Sequence, residues 1–569
     1  MGLSRILALI LLGGLFGCTR NLPTPSLPPS STLNVPSPLV TFTDVIERTG
    51  IAFQQSNGAT GKKYMPETMS GGGGFIDFDG DGWLDIVLIS GGSLPPSQNL
   101  KQPTVNLYRN NHDQTFTNVA QKVEVKGAFY GMGVAVGDYD NDGWEDLYIT
   151  GIPQGHLLHN VDDRAGGRKF VDETIPSGII DRGWSASSAW LDYDRDGKLD
   201  LFVTHYVEWS SEKEQSSFYS VDGTHRSYQR PQTFKGQACR LYHNLGHGVF
   251  EDTTQRAGFL SAPNTKALGV TVCDYDGDGY PDIFVANDTE PNQLWHNQGD
   301  GAFKEIAQES GIALSGEGTA RAGMGIDTAD VTQTGRFDVL ITNFSGEQLS
   351  LYRRDSSGLF LDVSARSGVG IATQTYLGFG AFFFDFDLDG WQDIFVTNGH
   401  IHDDISKRDS GVAYREPSLL FQNRGQGNFA DVSRLCGAAL STPRVGRAAA
   451  VGDFDNDGAP DILLVTNGGK PALLRNENRT GNGWIRLVLE GRRSNRDGIG
   501  ARVRVMIGTQ TQTLEVKSGS SYLAASDRRL LVGLGRAERA ERIEIRWPSG
   551  KVQSVGGVNR GETRRIVEE

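Results

Sequence analysis

Cysteine is scarce: the chain of 569 residues has four, Cys18, Cys239, Cys273 and Cys436. If Cys18 is consumed by processing at the N terminus, three remain, and an odd number excludes a fully paired set. Cys273 lies in an apolar run beside Asp274, where a small buried residue is expected. Long apolar runs are missing beyond Ile6–Phe16, so no second stretch is long enough to span a bilayer and the body reads as soluble. Positive charge is in deficit, with 55 Lys and Arg against 69 Asp and Glu and a net charge of −14, which gives no footing for a nucleic-acid partner. Local catalytic signatures are absent as well: there is no G-x-S-x-G, H-E-x-x-H, Walker or dinucleotide-binding motif. A site assembled from several distant segments leaves no such signature, so an enzyme stays open.

What the chain does contain is one nine-residue phrase, D-x-D-x-D-G-x-x-D, written seven times. Six copies are intact. Their carboxylates are Asp77, Asp79, Asp81 and Asp85; Asp138, Asp140, Asp142 and Asp146; Asp192, Asp194, Asp196 and Asp200; Asp274, Asp276, Asp278 and Asp282; Asp385, Asp387, Asp389 and Asp393; and Asp453, Asp455, Asp457 and Asp461. The remaining copy keeps Asp330 and Asp338 but carries Thr332 and Thr334 between them, and is expected to hold metal weakly or not at all. Alternate carboxylates converge when the chain curls at the glycine, and such a crowd of hard oxygen donors suits Ca²⁺. About six calcium sites are expected. They would offset most of the negative charge, which makes the acidity loop chemistry rather than an acidic tail.

An EF-hand opens the same way but requires a Glu at position twelve and flanking helices. Here position twelve is Leu88, Ile149, Val203, Val285, Val396 or Leu464, inside β-branched apolar runs that read as buried strands. The loop therefore joins two strands of a hairpin. Two further strand signals follow each loop, one ending in Asn as in Asn106-Leu-Tyr-Arg-Asn110, the other of the Phe116-Thr-Asn-Val119 type. Loops begin 61, 54, 82, 56, 55 and 68 residues apart, a period for propeller blades. After the last loop the outermost strand is missing, and its counterpart is Phe42-Thr-Asp-Val45 at the other end. The fold class expected is all-β, a seven-bladed propeller over residues 40–478 closed by residues 41–46.

This phrase and its spacing resemble the FG-GAP/VCBS repeat family, the fold of the integrin α-chain head. From Trp484 the pattern changes to alternating half-buried strands, expected to form a small β-sandwich over residues 480–569. Ser494-Asn-Arg-Asp-Gly-Ile-Gly-Ala501, Ser518-Gly-Ser-Ser-Tyr-Leu523 and Arg546-Trp-Pro-Ser-Gly550 resemble the ASPIC/UnbV domain, which accompanies such repeats in the cartilage acidic protein family and in bacterial secreted proteins. Within it, Asn495, Arg496 and Asp497 read as a turn with an Asp–Arg pair, or as a polar ligand loop.

Arg5, the apolar run and Gly17-Cys18 read as a secretory signal over residues 1–18, and Leu15-Phe-Gly-Cys18 resembles a bacterial lipobox, with Cys18 the lipidated residue. Residues 19–39 are a Pro- and Ser-rich spacer. The expectation is an exported protein of the bacterial cell envelope, lipid-anchored to the outer membrane or the cell surface.

Hairpin loops all fall on one face of a propeller, leaving the other face for recognition. Two long insertions, residues 207–238 and 400–418, belong to that second face. Candidate ligand residues there are His205, Asn287, Asp288, Arg321, Asn343, Asn398, His400 and Arg447, with Trp184, Lys266 and Tyr376 from the connections between blades. His400 and His402 with Asp403 and Asp404 also offer a transition-metal reading against that of an ordinary polar loop. The function expected is a binding or adhesion module for a glycan or protein ligand. The alternative, implied by the resemblance, is a calcium-dependent carbohydrate-active enzyme of lyase or dehydratase type.

Overall fold

A computed structural model describes residues 40–94, 103–125 and 129–569. The signal segment, Cys18 and the spacer lie outside the described residues. Among those described, no helix is long and apolar enough to cross a membrane.

Seven antiparallel sheets of the same design follow one another along the chain. In the first, Gly73–Ile76, Asp85–Ile89, Val105–Asn110 and Phe116–Asn118 pair in sequence order. The seventh takes Gly446–Gly452, Asp461–Thr466 and Ala472–Asn478 from the C-terminal end of the propeller and its outermost strand, Val40–Asp44, from the N-terminal end. Phe42 stands opposite Asn476, and Asp44 opposite Leu474. Innermost strands contact one another in a ring, the first sheet touching both the second and the seventh. The N-terminal strand thus pairs with Ala472–Asn478 at the outer edge of the seventh sheet, and Phe42 is buried against Phe386. Each nine-residue loop joins the first and second strands of its sheet. Its sixth residue, for example Gly143 at φ +98°, takes a backbone conformation that costs glycine little.

One residue type rivets neighbouring blades. Asn160, which ends the phrase Leu-Leu-His-Asn, donates its backbone N–H to Asp146 Oδ1 and its Nδ2–H to the Phe78 carbonyl of the preceding blade. Asn110, Asn244, Asn297, Asn423 and Asn476 repeat the cross-blade bond, to the carbonyls of Phe454, Tyr139, Tyr193, Val331 and Phe386. In the fifth blade Arg354 replaces the asparagine and reaches the Tyr275 carbonyl at 2.7 Å. The bond survives with a longer donor.

The C-terminal segment forms two sheets, one of Leu530–Gly535, Gly483–Glu490 and Glu562–Val567, the other of Gln510–Glu515, Arg502–Ile507, Arg539–Arg546 and Val552–Asn559. They share a core of residues such as Ile485, Val505, Ile543 and Trp547. This domain caps the loop face of the propeller. It carries 17 Lys and Arg against 10 Asp and Glu over residues 480–569, so a basic body sits on the acidic loops. Arg486 pairs with Asp453, Arg529 donates to the Gly82 carbonyl, and Asp497 accepts the Asp138 N–H at 2.8 Å. Asn495 closes its own turn on Ile499, and Asp497 also pairs with Arg528.

Residues 518–527 leave this domain and run into the propeller axis. Trp190 N–H donates to Ser518 Oγ, Thr271 Oγ1 to the Gly519 carbonyl, and Ser521 exchanges backbone bonds with Ile326. Tyr522 packs against Phe379 and donates to the Met69 carbonyl. Ala524 and Ala525 add a parallel fifth strand to the first sheet beside Gly73 and Gly74, and Asp527 N–H reaches the Val451 carbonyl. The glycine run before the first loop exists for this approach: a Cβ on Gly74 would meet the Ala525 carbonyl oxygen at 2.4 Å.

Candidate functional site

The acidic loops are preformed by their own backbone. In the second loop, Asp138 accepts the N–H groups of Asp142 and Gly143 at 2.9 and 2.8 Å, and Asp146 accepts that of Tyr139. In every copy the N–H of the sixth residue donates to the first carboxylate, and three donor oxygens of Asp77, Asp79 and Asp85, or of Asp138, Asp140 and Asp146, lie within 4.8 Å of one another. Burial, then the neighbouring Asp79 and Asp77, push the Asp85 carboxyl up to about 9. Burial, then Asp200, Asp196 and Asp194, push Asp192 to about 8. Burial also carries Asp146, Asp385, Asp393 and Asp461 well above the carboxylate range. Asp192 Oδ1 and Asp282 Oδ2 are buried and receive no hydrogen bond. Orphaned oxygens among mutually repelling carboxylates are the donor set a divalent cation satisfies, so these loops fit a hard metal ion.

A third-strand side chain completes each loop and differs between blades. His159 stands 3.0 Å from Asp140, His243 3.1 Å from Asp200, and His296 2.9 Å from Asp282. Arg109 holds Asp79 and Asp81, Arg475 holds Asp455 and Asp457, and Gln422 donates to Asp387. Composition of the nine-residue phrase does not reveal these neighbours; the residue before the riveting asparagine does. In the fifth loop Thr332 and Thr334 bond each other, Asp330 is occupied by the N–H groups of Thr334 and Gly335, and Asp338 is paired with Arg353.

On the opposite face, where first strands begin and second strands end, a cavity of about 710 Å³ opens on the axis. Tyr206, Phe344, Phe379, Met65 and Met69 give it an apolar wall, and Tyr219, Arg230, His400, His402 and Arg408 come from the two insertions. Those insertions hold each other through Ser227 with Asp404 and Lys407 with Asp222. His400 is fully buried, and its Nδ1 accepts the His402 N–H at 3.0 Å. Burial first, then His402 and Arg447, lowers its pKa to about 3. The neutral ring therefore carries its proton on Nε2, which is buried without a partner. His402 is lowered by burial to about 4, and its Nδ1 is likewise unpartnered. Asp288 accepts the Tyr206 hydroxyl at 2.5 Å, and burial raises its carboxyl to about 6.

Of the ligand residues expected on this face, Asp288 and His400 come together at the cavity. The others close strand ends. His205 is buried beside Asp181 at 2.9 Å; Asn287 donates to the Pro291 carbonyl, Asn343 to that of Gln348 and Asn398 to that of Pro417. Arg321 is held by Glu317 and Asp362, and Lys266 by Glu290. Arg447 lies over Phe379 and spends its donors on the carbonyls of Thr68, Gly399 and Gly446. Trp184 is buried against Tyr206 and Trp209.

Residues 77–149, 234–285, 274–341, 330–396 and 407–464 match the FG-GAP-like repeat model. The chain belongs to the FG-GAP-like repeat family. Residues 491–569 match the ASPIC and UnbV domain, the cap over the loop face. Cartilage acidic protein 1 of Xenopus tropicalis is 24% identical over 460 residues, which cover 77% of this chain and 64% of that protein. The Mus musculus protein of the same name is 24% identical over 521 residues, 86% of this chain and 72% of its own length. This chain thus spans less than two thirds of the frog relative. Among solved structures, an Agrocybe aegerita lectin recognising non-reducing terminal N-acetylglucosamine aligns with TM-score 0.38 and 16% identity, over 65% of this chain and 87% of that one.

Proposed function

We propose that this FG-GAP-like propeller is an exported, calcium-loaded recognition protein whose ligand, a glycan, binds in the axial cavity opposite the acidic loops. Calcium is the reading for the six intact loops because each supplies four hard carboxylates, with a histidine beside three of them. When bound, the ion neutralises the carboxylates and ties the two strands of each hairpin together. The loop residues of this chain only hold it; their face is capped by the C-terminal domain, and the glycan is assigned to the open face.

The observation that carries the ligand reading is the unpartnered Nε2–H of His400 in a cavity walled by aromatic and methionine side chains. Apolar faces that stack on a sugar ring, beside isolated buried donors and the carboxylates of Asp288, Glu347 and Asp409, suit a polyhydroxylated ligand. A glycan array probed with the calcium-loaded chain tests this. Hits that weaken about tenfold or more in His400→Ala are expected, with circular dichroism confirming that the variant is folded at the assay temperature. An array without hits, or hits indifferent to that substitution, overturns the glycan reading.

A second reading rests on Asp288, whose carboxyl at about 6 stands in the range of a general acid or base and touches a tyrosine hydroxyl. His400, at about 3, is too weak a base to serve beside it. A turnover assay on the array hits separates the two: consumption lost in Asp288→Asn supports a carbohydrate-active enzyme.

A further inference from the structure

The fifth loop is where the charge of the loop face reverses. Elsewhere the arginines of the C-terminal domain meet carboxylates or lie against full acidic loops, as Arg486 does at Asp453 and Arg528 at Glu145 and Asp497. Over the fifth loop two of the four carboxylates are the hydroxyls of Thr332 and Thr334. The two that remain are taken, Asp330 by backbone N–H groups and Asp338 by Arg353. Between this loop and the C-terminal sheet lies a cavity of about 480 Å³, lined by Gln333, Thr334 and Gly335 on one side. Arg502, Arg504 and Arg546 line the other, with Glu544 the one acidic residue of the lining.

The guanidinium groups are fixed from behind. Arg502 donates to the carbonyls of Asp274 and Gly335, Arg546 to that of Gly277 at 2.6 Å, and Arg504 to Glu544 at 3.3 Å. A guanidinium has five N–H groups, so each keeps donors beyond these contacts. Arg546 also lies 3.6 Å from Asp274, a carboxylate that belongs to the intact fourth loop. Three arginines held in place against one glutamate, with threonine hydroxyls beside them, form a receptor for an oxyanion.

We propose that this cavity is an anion site taking a sulfate or phosphate group, free or as an ester on a larger molecule. It is distinct from the axial cavity, on the other face and built from other elements. The loss of metal-binding carboxylates in the fifth loop is, on this reading, what opens the site: an intact loop would place two more negative charges at its rim.

Titration calorimetry of the full chain in calcium-containing buffer tests this with sodium sulfate, using sodium chloride at equal ionic strength as the blank. A sulfated disaccharide and a phosphorylated hexose run in parallel identify which ester is preferred. One sulfate per chain is expected. Arg504 is exposed and outside the docking contacts, so Arg504→Ala should keep its melting temperature and lose about tenfold in affinity. The double substitution Thr332→Asp with Thr334→Asp should abolish sulfate binding and add one bound calcium per chain, read by metal analysis. Sulfate heats equal to the chloride blank, or undiminished affinity in either variant, overturn the proposal.

Discussion

Asn160 donates from one side chain to the carbonyls of Phe78 and Glu145, both buried, while its backbone N–H holds Asp146. Removing the amide leaves two acceptors without partners, so Asn160→Ala is expected to cost about 1–3 kcal/mol in denaturant unfolding. The aspartates make a second prediction at this scale. Asp85, Asp192 and Asp453 are pushed to about 9, 8 and 7, by burial first and then by charged neighbours, against about 4 in an unfolded chain. Their folded values are raised, so folding favours the protonated form. That contribution is complete below about pH 4 and is lost as pH rises through about 7–9. In chelator, the melting temperature should therefore fall steadily from pH 5 to pH 9. With calcium present the ionised form is the one that binds, and the slope should flatten or reverse. Calorimetry at constant ionic strength checks both arms, and equal slopes would refute the cation reading of the loops.

At the scale of the element, the strand Val40–Asp44 joins the ends of a propeller more than 400 residues apart in sequence. Its backbone also bonds the Cys436 carbonyl through Phe42 N–H, and Asp44 is paired with Arg444 at 2.7 Å. A chain starting at residue 39 should melt like the full protein. One starting at residue 53 keeps every acidic loop but exposes the edge of Ala472–Asn478, and should aggregate or fail to accumulate. Phe42→Ala, a milder version of the same lesion, should cost about 3–5 kcal/mol, because Phe42 is 1% exposed and packs on Phe386. Size-exclusion chromatography and denaturant titration read the two tests.

At the scale of the whole molecule, cations and the axial plug act on different parts of the same ring. A cation with Kd near 10⁻⁴ M at about 1 mM adds roughly 1.4 kcal/mol per site, so six together rival the total stability of a typical domain, about 5–15 kcal/mol. Excess chelator should lower the melting temperature by many degrees, with metal analysis confirming removal. The plug, residues 518–527, touches inner strands of all seven sheets, Gly133 of the second among them. Gly74→Val would drive a side chain into the Ala525 backbone and should expel it. Expulsion is expected to lower stability by several kcal/mol and to make residues 518–527 accessible to limited proteolysis, with calcium stoichiometry unchanged.

The repeat by itself determined most of this architecture. A motif recurring in register fixes strand, loop and strand locally, and the unmatched outer strand at one end with the unmatched phrase at the other required closure. Which carboxylates crowd together was also legible, because all four of each loop lie within nine residues. What tertiary structure decided was everything that depends on meeting between distant segments. His205, Asn287 and Arg321 resemble ligand residues as letters, yet they cap strand ends, since a buried strand terminus leaves backbone groups that must find partners. Asp288 and His400 look no different in the sequence, but their strands end at the axis and leave them facing a cavity. The cap and its plug were not legible either: a basic domain and a glycine run more than 400 residues away in sequence carry no mark of each other until the loop face has gathered its negative charge and the axis has opened a space to fill.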